Sequence, residues 1–357
     1  MPVSPDHQHA NGEIDIASLH AQDSTGLLAR IDRAVVWDIP LTTPFRGITR
    51  RDGVLLHGPG GWGEVAPFWD YGSEASAPWL ASGLSQALGN SLLPRYRETI
   101  SVNVTVPEVG AQEAAELVRA SGARTAKVKV SGSSSKRSAD LERLEAVRSA
   151  LGRSGKVRID VNGAWDLDTA RENLPLMDRA AGGLEYAEQP CATVYDLADL
   201  RRAVDVPIAA DESIRLSANP LEIVHRRAAD VAILKVAPLG GVHRAMDMAE
   251  RLGLPTVVSS ALDTSVGIMA GATLAFSLPS LNHACGLGTT YLLTQDVVDP
   301  SVRPSNGTLR LDAAAPVSER LLDEVKAGPY LTKHWQTRLL HLAGALHARR
   351  QREARDP

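Results

Sequence analysis

The chain has 357 residues, enough for two domains or for one large α/β barrel with an added part. With 44% hydrophobic and 22% charged residues it has an ordinary globular composition, and its net charge of −4 argues against a nucleic-acid binder, which presents a basic face. No apolar run reaches the ~18 residues that a membrane span needs, and the N-terminus has neither the basic nor the apolar region of a secretory signal. Cys191 and Cys285 are too few and too far apart for a disulfide framework, which suits a reducing cytoplasm. Both thiols sit in apolar or barrel-end contexts and are expected to be buried and inert. The expected partner is a small molecule, not nucleic acid and not a membrane, and the chain is expected to be a monomer or a homo-oligomer.

Residues 1–28 are polar and aperiodic and read as a disordered extension, in which His7 and His9 are solvated rather than metal ligands. Residues 29–105, joined by 295–325, read as an α+β capping domain. Within it RIDRAVVWDIPL and GVLLHGPGGWGEVAPF are strands with a turn, and SGLSQALGNSLL is a helix. The run GPGGWG lacks the strand–loop–helix context of a phosphate cradle and reads as a turn or a mobile lid. Residues 106–294 form the bulk of a regular alternation. Its β-rich runs are ISVNVTVP (100–107), TAKVKV (125–130), VRIDVN (157–162), LEYAEQP (184–190), PIAADES (207–213), VAILKVAP (231–238), PTVVSSA (255–261) and HACGLG (283–288). Helical patterns such as AQEAAELVRA, DLERLEAVRSAL, VHRAMDMAERLG and VGIMAGATLAFSL separate them. Eight strands with seven intervening helices predict a (β/α)7β barrel of the TIM type that lacks a last helix. An open doubly wound sheet is disfavoured, because no G-x-G-x-x-G follows the first strand. Residues 326–357 read as a C-terminal helical tail with a solvated basic end, packed on the body or on a partner subunit.

Parallel barrel strands are buried on both faces, so charges inside them need a reason. Here the charges gather at the C-terminal ends of the strands, where barrel active sites form. Lys127 and Lys129 are two apart on the second run. Arg158, Asp160 and Asn162 are two apart on the third. Glu188 ends the fourth, Asp211 the fifth, and Lys235 stands near the end of the sixth. The period of two puts Lys127 with Lys129, and Asp160 with Asn162, on one face. Three carboxylates on successive strands would repel one another in a low dielectric, so a positive charge is expected between them. An all-oxygen set without Cys or His favours Mg²⁺ over Zn²⁺, with Mn²⁺ as a possible substitute. A buried salt-bridge network is the bland alternative, but such networks rarely collect six charges at one end of a barrel. Lys129 and Lys235 come from opposite sides of the ring. Beside a cation their pKa values are expected to fall, which suits a base that removes a proton near neutral pH.

The segments AKVKV, RIDVNGAW, EYAEQP, ADES, ILKVAPLGG and SSALDTSVG together resemble the enolase superfamily in its muconate-lactonizing subgroup, over roughly residues 30–310. Within the subgroup, TPFRGITRRDG, GWGEVAPFWDYG, IDVNGAWD, EYAEQPCATV, ADESIR and HACGLGT resemble the o-succinylbenzoate synthase family. The resemblance implies a capping domain on a (β/α)7β barrel. It implies Asp160, Glu188 and Asp211 as metal ligands and Lys129 and Lys235 as the catalytic pair. Lys127 would keep the pKa of Lys129 low, and Arg158 and Asn162 would orient the ligands and the substrate. The implied reaction is loss of a proton α to a carboxylate, followed by loss of water. Close relatives instead racemise N-acylamino acids or epimerise dipeptides with the same six residues. Ser259, Ser260, Gly286 and Leu287, at the ends of the seventh and eighth runs, are expected to hold a second carboxylate of the substrate. The capping loops near Phe45–Thr49 and Trp62–Tyr71 are expected to close over it.

Overall fold

The computed structural model describes residues 12–310 and 316–355. His7 and His9 lie outside these residues. The first element is a short helix, α1 (Ile16–Gln22), capped by Asp15, whose carboxylate accepts from the backbone of Ala17 and Ser18. This departs from the expectation of a disordered 1–28. In the described part of that stretch Ile14, Leu19 and Leu28 are buried in the core of the capping domain. They share no period, so nothing local marks them. The surface that orders them comes from the far end of the chain.

Strands β1 (Arg33–Phe45), β2 (Ile48–Gly58) and β3 (Gly61–Val65) form an antiparallel sheet in that order. A two-residue turn joins β1 to β2. Arg46 and Gly47 both take positive φ, 51° and 77°, the geometry whose twist matches the flanking strands. The next turn carries GPGGWG and packs on the end of helix α2 (Ser73–Ala87), where Gly60 N donates to Ala87 O at 2.7 Å. A Cβ on Gly60 would stand 2.0 Å from Gly89 N, so this run is a closely packed turn rather than a lid.

After β4 (Thr99–Ser101) comes the barrel. Its strands β5 (Val104–Val106), β6 (Thr125–Lys129), β7 (Lys156–Asp160), β8 (Leu184–Glu188), β9 (Ile208–Ala210), β10 (Val231–Lys235) and β11 (Thr256–Ser259) are parallel and neighbour one another in chain order. Helices α3 (Ala111–Ser121), α4 (Arg137–Leu151), α5 (Leu167–Ala181) and α6 (Val194–Ala203) connect the first five. Single turns α7 (Glu212–Arg215), α8 (Glu222–His225) and α9 (Val236–Leu239) follow, then α10 (Val242–Leu252) and α11 (Ser265–Ser277). The eighth run is shorter than expected and is reduced to two bridges. Cys285 pairs with Val102 and Gly286 with Ser259. Asn103 N donates to Cys285 O at 2.9 Å and Gly286 N to Val258 O at 2.8 Å, and these bonds close the ring.

The chain then returns to the cap. β12 (Thr308–Arg310) pairs antiparallel with β4. α12 (Glu319–Glu324) leads into α13 (Pro329–Arg355). The tail is helical as expected and packs on its own chain. Trp335, Leu339, Leu342 and Leu346 share a core with Trp79, Leu80 and Leu84 of α2 and with Leu19 and Leu28. Among the described residues no helix is long and apolar enough to cross a membrane. Both cysteines are free and buried, and burial pushes each thiol up to about 12, as inert thiols should be.

Candidate active site

The strand register builds the site. Lys129 stands beside Asp160, and Asp160 beside Glu188, across β6, β7 and β8. Neighbouring strands lie about 5 Å apart, so these three groups form a row at one height. Asp211 follows the end of β9, and its backbone N–H donates to Gln189 Oε1 at 2.9 Å. Gln189 is fully buried and fixes both chain segments, since its amide nitrogen donates to Ser213 Oγ at 2.6 Å.

The six charges pair in two hydrogen-bonded sets at one end of the barrel. Lys127 Nζ donates to Asp160 at 3.0 Å and to Glu188 at 2.9 and 3.1 Å. Lys129 Nζ donates to the same Asp160 oxygen at 2.6 Å and to Asn162 Oδ1 at 2.5 Å. Lys235 Nζ donates to Asp211 at 2.5 Å. Asn162 can turn into this position because it takes φ 52°, which asparagine tolerates better than most residues. The electrostatics separate the lysines. Burial lowers Lys129, and the neighbouring Lys127 lowers it further. Burial also penalises the charge on Lys127, but Asp160 and Glu188 outweigh it and hold Lys127 well above the usual lysine range. This is the division expected of a base and its charged neighbour.

Asp160, Glu188 and Asp211 offer hard carboxylate oxygens, the donor type that a divalent cation of the Mg²⁺ kind takes. Asp160, Glu188 and Asp211 are each no more than 1% exposed. Burial, then the proximity of Asp160 and Asp211, pushes Glu188 up to about 7. Asp160 and Asp211 go the other way: burial opposes their ionisation, but Lys127 and Lys129 hold Asp160, and Arg215 and Lys235 hold Asp211, below the usual carboxylate range, so Glu188 is the acid short of positive charge. Each of the three is engaged by a lysine, and among the described residues no group of three acids, histidines or cysteines converges on one point.

The cleft above this row is lined by Lys127, Lys129, Asp160, Asn162, Lys235, Ser259, Ser260 and Gly286, all expected from the sequence. Glu188 and Asp211 are buried and do not line the cleft. Two expected residues are elsewhere. Arg158 is two residues below Asp160 on β7, about 6.6 Å down the strand. Its guanidinium donates to Glu185 at 2.5 Å, Asn103 Oδ1 at 3.2 Å and Ala284 O at 2.8 Å, in a deeper layer of the barrel. Leu287 turns outward, where its Cδ2 would stand 2.7 Å from a Cβ placed on Gly271 of α11. The hydroxyl of Ser260 is already engaged by Gly286 O at 2.9 Å and Thr289 Oγ1 at 2.7 Å.

From the capping loops Phe45, Arg46 and Phe68 reach the cleft, with the Phe45 ring centre 5.4 Å from Lys129 Nζ. Trp62, expected in the second of those loops, stands on β3 and packs edge-on against His57, ring centres 4.9 Å apart. Arg215, Thr105 and Thr289 also line the cleft and were not singled out in the sequence. Arg215 donates to Asp211 Oδ1 at 3.0 Å, to Glu212 at 2.7 Å and to Tyr71 OH at 2.9 Å, so it ties the end of β9 to the cap. Its spacing of four from Asp211 on a one-turn helix was the available signal.

A closed parallel barrel with a cap, and a row of lysines and carboxylates at its C-terminal mouth, defines a class of enzyme. Residues 110–316 match the model of the enolase C-terminal domain-like family, and residues 36–87 match that of the enolase N-terminal domain-like family. Solved structures with this architecture include muconate lactonizing enzyme from Pseudomonas fluorescens (TM-score 0.69, 23% identity, 82% of this chain and 98% of that one). They also include the L-Ala-D/L-Glu epimerase from Bacillus subtilis (TM-score 0.67, 25% identity, 80% and 96%). Curated relatives include an o-succinylbenzoate synthase of Thermobifida fusca, 53% identical over 84% of this chain and 93% of the relative. Another is that of Mycobacterium tuberculosis strain H37Rv, 46% identical over 88% and 94%. The chain belongs to the enolase superfamily and, within it, to the o-succinylbenzoate synthase family.

Proposed function

We propose that the protein is an o-succinylbenzoate synthase, which removes water from 2-succinyl-6-hydroxy-2,4-cyclohexadiene-1-carboxylate in menaquinone synthesis. One observation carries the reading. Lys129 and Lys235 stand on strands four places apart in an eight-membered ring, above three buried carboxylates, in a chain 53% identical to a synthase. Two free buried thiols and the lack of a membrane-spanning helix among the described residues suit the cytoplasm.

Lys129, with its pKa lowered, takes the proton α to the ring carboxylate. The electron pair of that C–H bond moves into the carboxylate, which becomes an enediolate. The enediolate collapses and the C–O bond to the ring hydroxyl breaks. Lys129, now an ammonium, returns its proton to the departing hydroxide on the same face, and water leaves. Lys235 stays charged and stabilises the enediolate from the other face. Lys127 keeps Lys129 from holding its proton. Asn162 fixes the Lys129 amine through their hydrogen bond. A divalent cation held by Asp160, Glu188 and Asp211, Mg²⁺ by their hard oxygens and Mn²⁺ as a substitute, would supply positive charge to the substrate carboxylate. Phe45, Arg46 and Phe68 cover the reacting ring and exclude water.

Opposed lysines also suit proton transfer between two faces of one carbon, so racemisation of N-acylamino acids or epimerisation of dipeptides is the second reading. The test is loss of the diene absorbance on addition of the purified protein and Mg²⁺, with an EDTA control. Rapid loss that EDTA abolishes and Mg²⁺ restores supports the synthase. No loss, together with deuterium exchange at the α-carbon of N-succinylamino acids, supports the racemase instead.

A further inference from the structure

The walls of the cleft come from two domains. Phe68 belongs to the cap, while Ser259 ends β11 of the barrel and Ser260, Ala261 and Leu262 follow it. Arg51 of β2 joins these two walls. It is 1% exposed. On the barrel side its Nε donates to Leu262 O at 3.2 Å and its Nη2 to Ala261 O at 3.4 Å. On the cap side Nη2 donates to Ala66 O and Nη1 to Asp52 O at 3.1 Å. Its Cζ lies 4.1 Å from the centre of the Phe68 ring.

Two features make this more than packing. Buried charges are normally paired at contact, but the carboxylates that act on Arg51, those of Asp263, Asp52 and Glu64, do so without a direct hydrogen bond to its guanidinium. Carbonyl oxygens take that place, and a planar fork of five N–H donors is suited to gripping several of them at once. The second feature is Leu262, held at φ 63°, a left-handed conformation that a leucine rarely adopts unless its surroundings impose it. The carbonyl of this residue is the one that Arg51 Nε holds. A second tie secures the next residues of the same loop. Glu64 of β3 accepts from Thr264 N at 3.2 Å, from Gly267 N at 3.1 Å and from the Thr264 hydroxyl.

We infer that Arg51 is a positioning residue for the substrate site. By gripping Leu262 and Ala261 from the cap and backing Phe68, it converts the docking of cap on barrel into the spacing between the two walls of the cleft. Its kinetic consequence rests on the proposed dehydration, while its structural consequence does not. A lysine at this position keeps the charge but cannot span both walls.

The experiment compares full-length wild type with Arg51→Lys and Arg51→Met, by amide hydrogen exchange and by steady-state kinetics. In Arg51→Lys the amides of residues 66–71 and 260–264 should exchange about tenfold faster or more, while β6, β7 and β8 keep wild-type protection. KM should rise about tenfold with kcat changed less than about threefold, and Mg²⁺ affinity by calorimetry should be unchanged. If Arg51→Met does not fold, Arg51→Lys carries both readouts. Unchanged loop exchange and KM in a folded variant would overturn the inference. So would faster exchange spread evenly through the barrel, or failure of both variants to fold, because Arg51 would then serve the fold rather than the site. The exchange measurement needs no substrate. Loop release in a protein whose wild type does not dehydrate would therefore sink the proposed reaction and leave the inference standing.

Discussion

Two residues of separation along β7 decide between chemistry and architecture. Asp160 reaches the cleft beside two lysine ammonium groups, while Arg158, on the same inward face, serves a layer beneath. The chemistry at the mouth gives direct predictions. Lys129→Ala should lower kcat for dehydration by about 10²–10⁴-fold or more, with Mg²⁺ affinity retained. Retained activity in a folded Lys129→Ala protein, measured by diene loss, would remove Lys129 from its role. Gly286 sets a steric limit on the opposite wall, since a Cβ there would stand 2.5 Å from Ser259 Oγ. Gly286→Ala should therefore cost about 1–3 kcal/mol of stability through overpacking. It should also cost up to about 10² in kcat/KM through displacement of the Ser259 wall. Urea unfolding and kinetics on the same preparation check both.

Among the elements, the shortest has the largest consequence. The eighth run closes the barrel with two bridges, and side chains reinforce the seam. Glu185 of β8 accepts from Arg158 of β7 and from Lys156, and its Oε1 lies 3.0 Å from Nδ1 of His283, which precedes the bridges. Partial burial opposes ionisation of Glu185, but His283, Arg158 and Lys156 together hold its carboxyl far below the ordinary 4.5. A carboxyl depressed in the folded state adds stability that is complete above the unfolded value. That stability is lost as the pH falls through 4.5 toward the folded value. Glu185→Gln should cost about 3 kcal/mol near pH 7, because it leaves the buried Arg158 unpaired. The gap between variant and wild type in urea midpoints should narrow as the pH is lowered below 4.5. A gap that stays constant with pH would show that the ion pair is not its source. Helix α13 acts at the same scale. Trp335 is fully buried, and its indole N–H donates to Asp52 at 2.6 Å. Arg338 beside it donates to Phe68 O at 2.7 Å, behind the cleft wall. Trp335→Ala should cost about 3–5 kcal/mol and lower the melting temperature measurably by calorimetry.

At the scale of the molecule, the cap is built from both ends of the chain and is tied to the barrel by buried groups. Arg51, Glu64 and Arg215–Tyr71 all cross that boundary. Cap and barrel should therefore unfold in one calorimetric transition. Two resolved transitions would mean that the crossing bonds contribute little. Much of this organisation was legible beforehand. The period of two placed Lys127, Lys129 and Asp160 on one inward face, and the runs ending in Glu188, Asp211 and Lys235 brought the remaining charges to the same end. The docking of residues 12–31 was not legible, because Leu19 and Leu28 become core only when α13 supplies the other side.

The amino-acid sequence by itself determined the barrel and which charges stand at its mouth. Strand period, strand order and side-chain direction are local properties that each run carries. Tertiary structure alone decided how those charges divide. Lys127 bridges Asp160 and Glu188, while Lys235 takes Asp211, because those pairings depend on distances between strands that no single run contains. It also decided that Arg158 lies below the site, that Leu287 faces a helix, that Arg215 lines the cleft, and that Arg51 backs the wall that Phe68 forms. These residues owe their places to contacts with chain segments 15 to 211 residues away, where no local pattern can indicate which groups will meet.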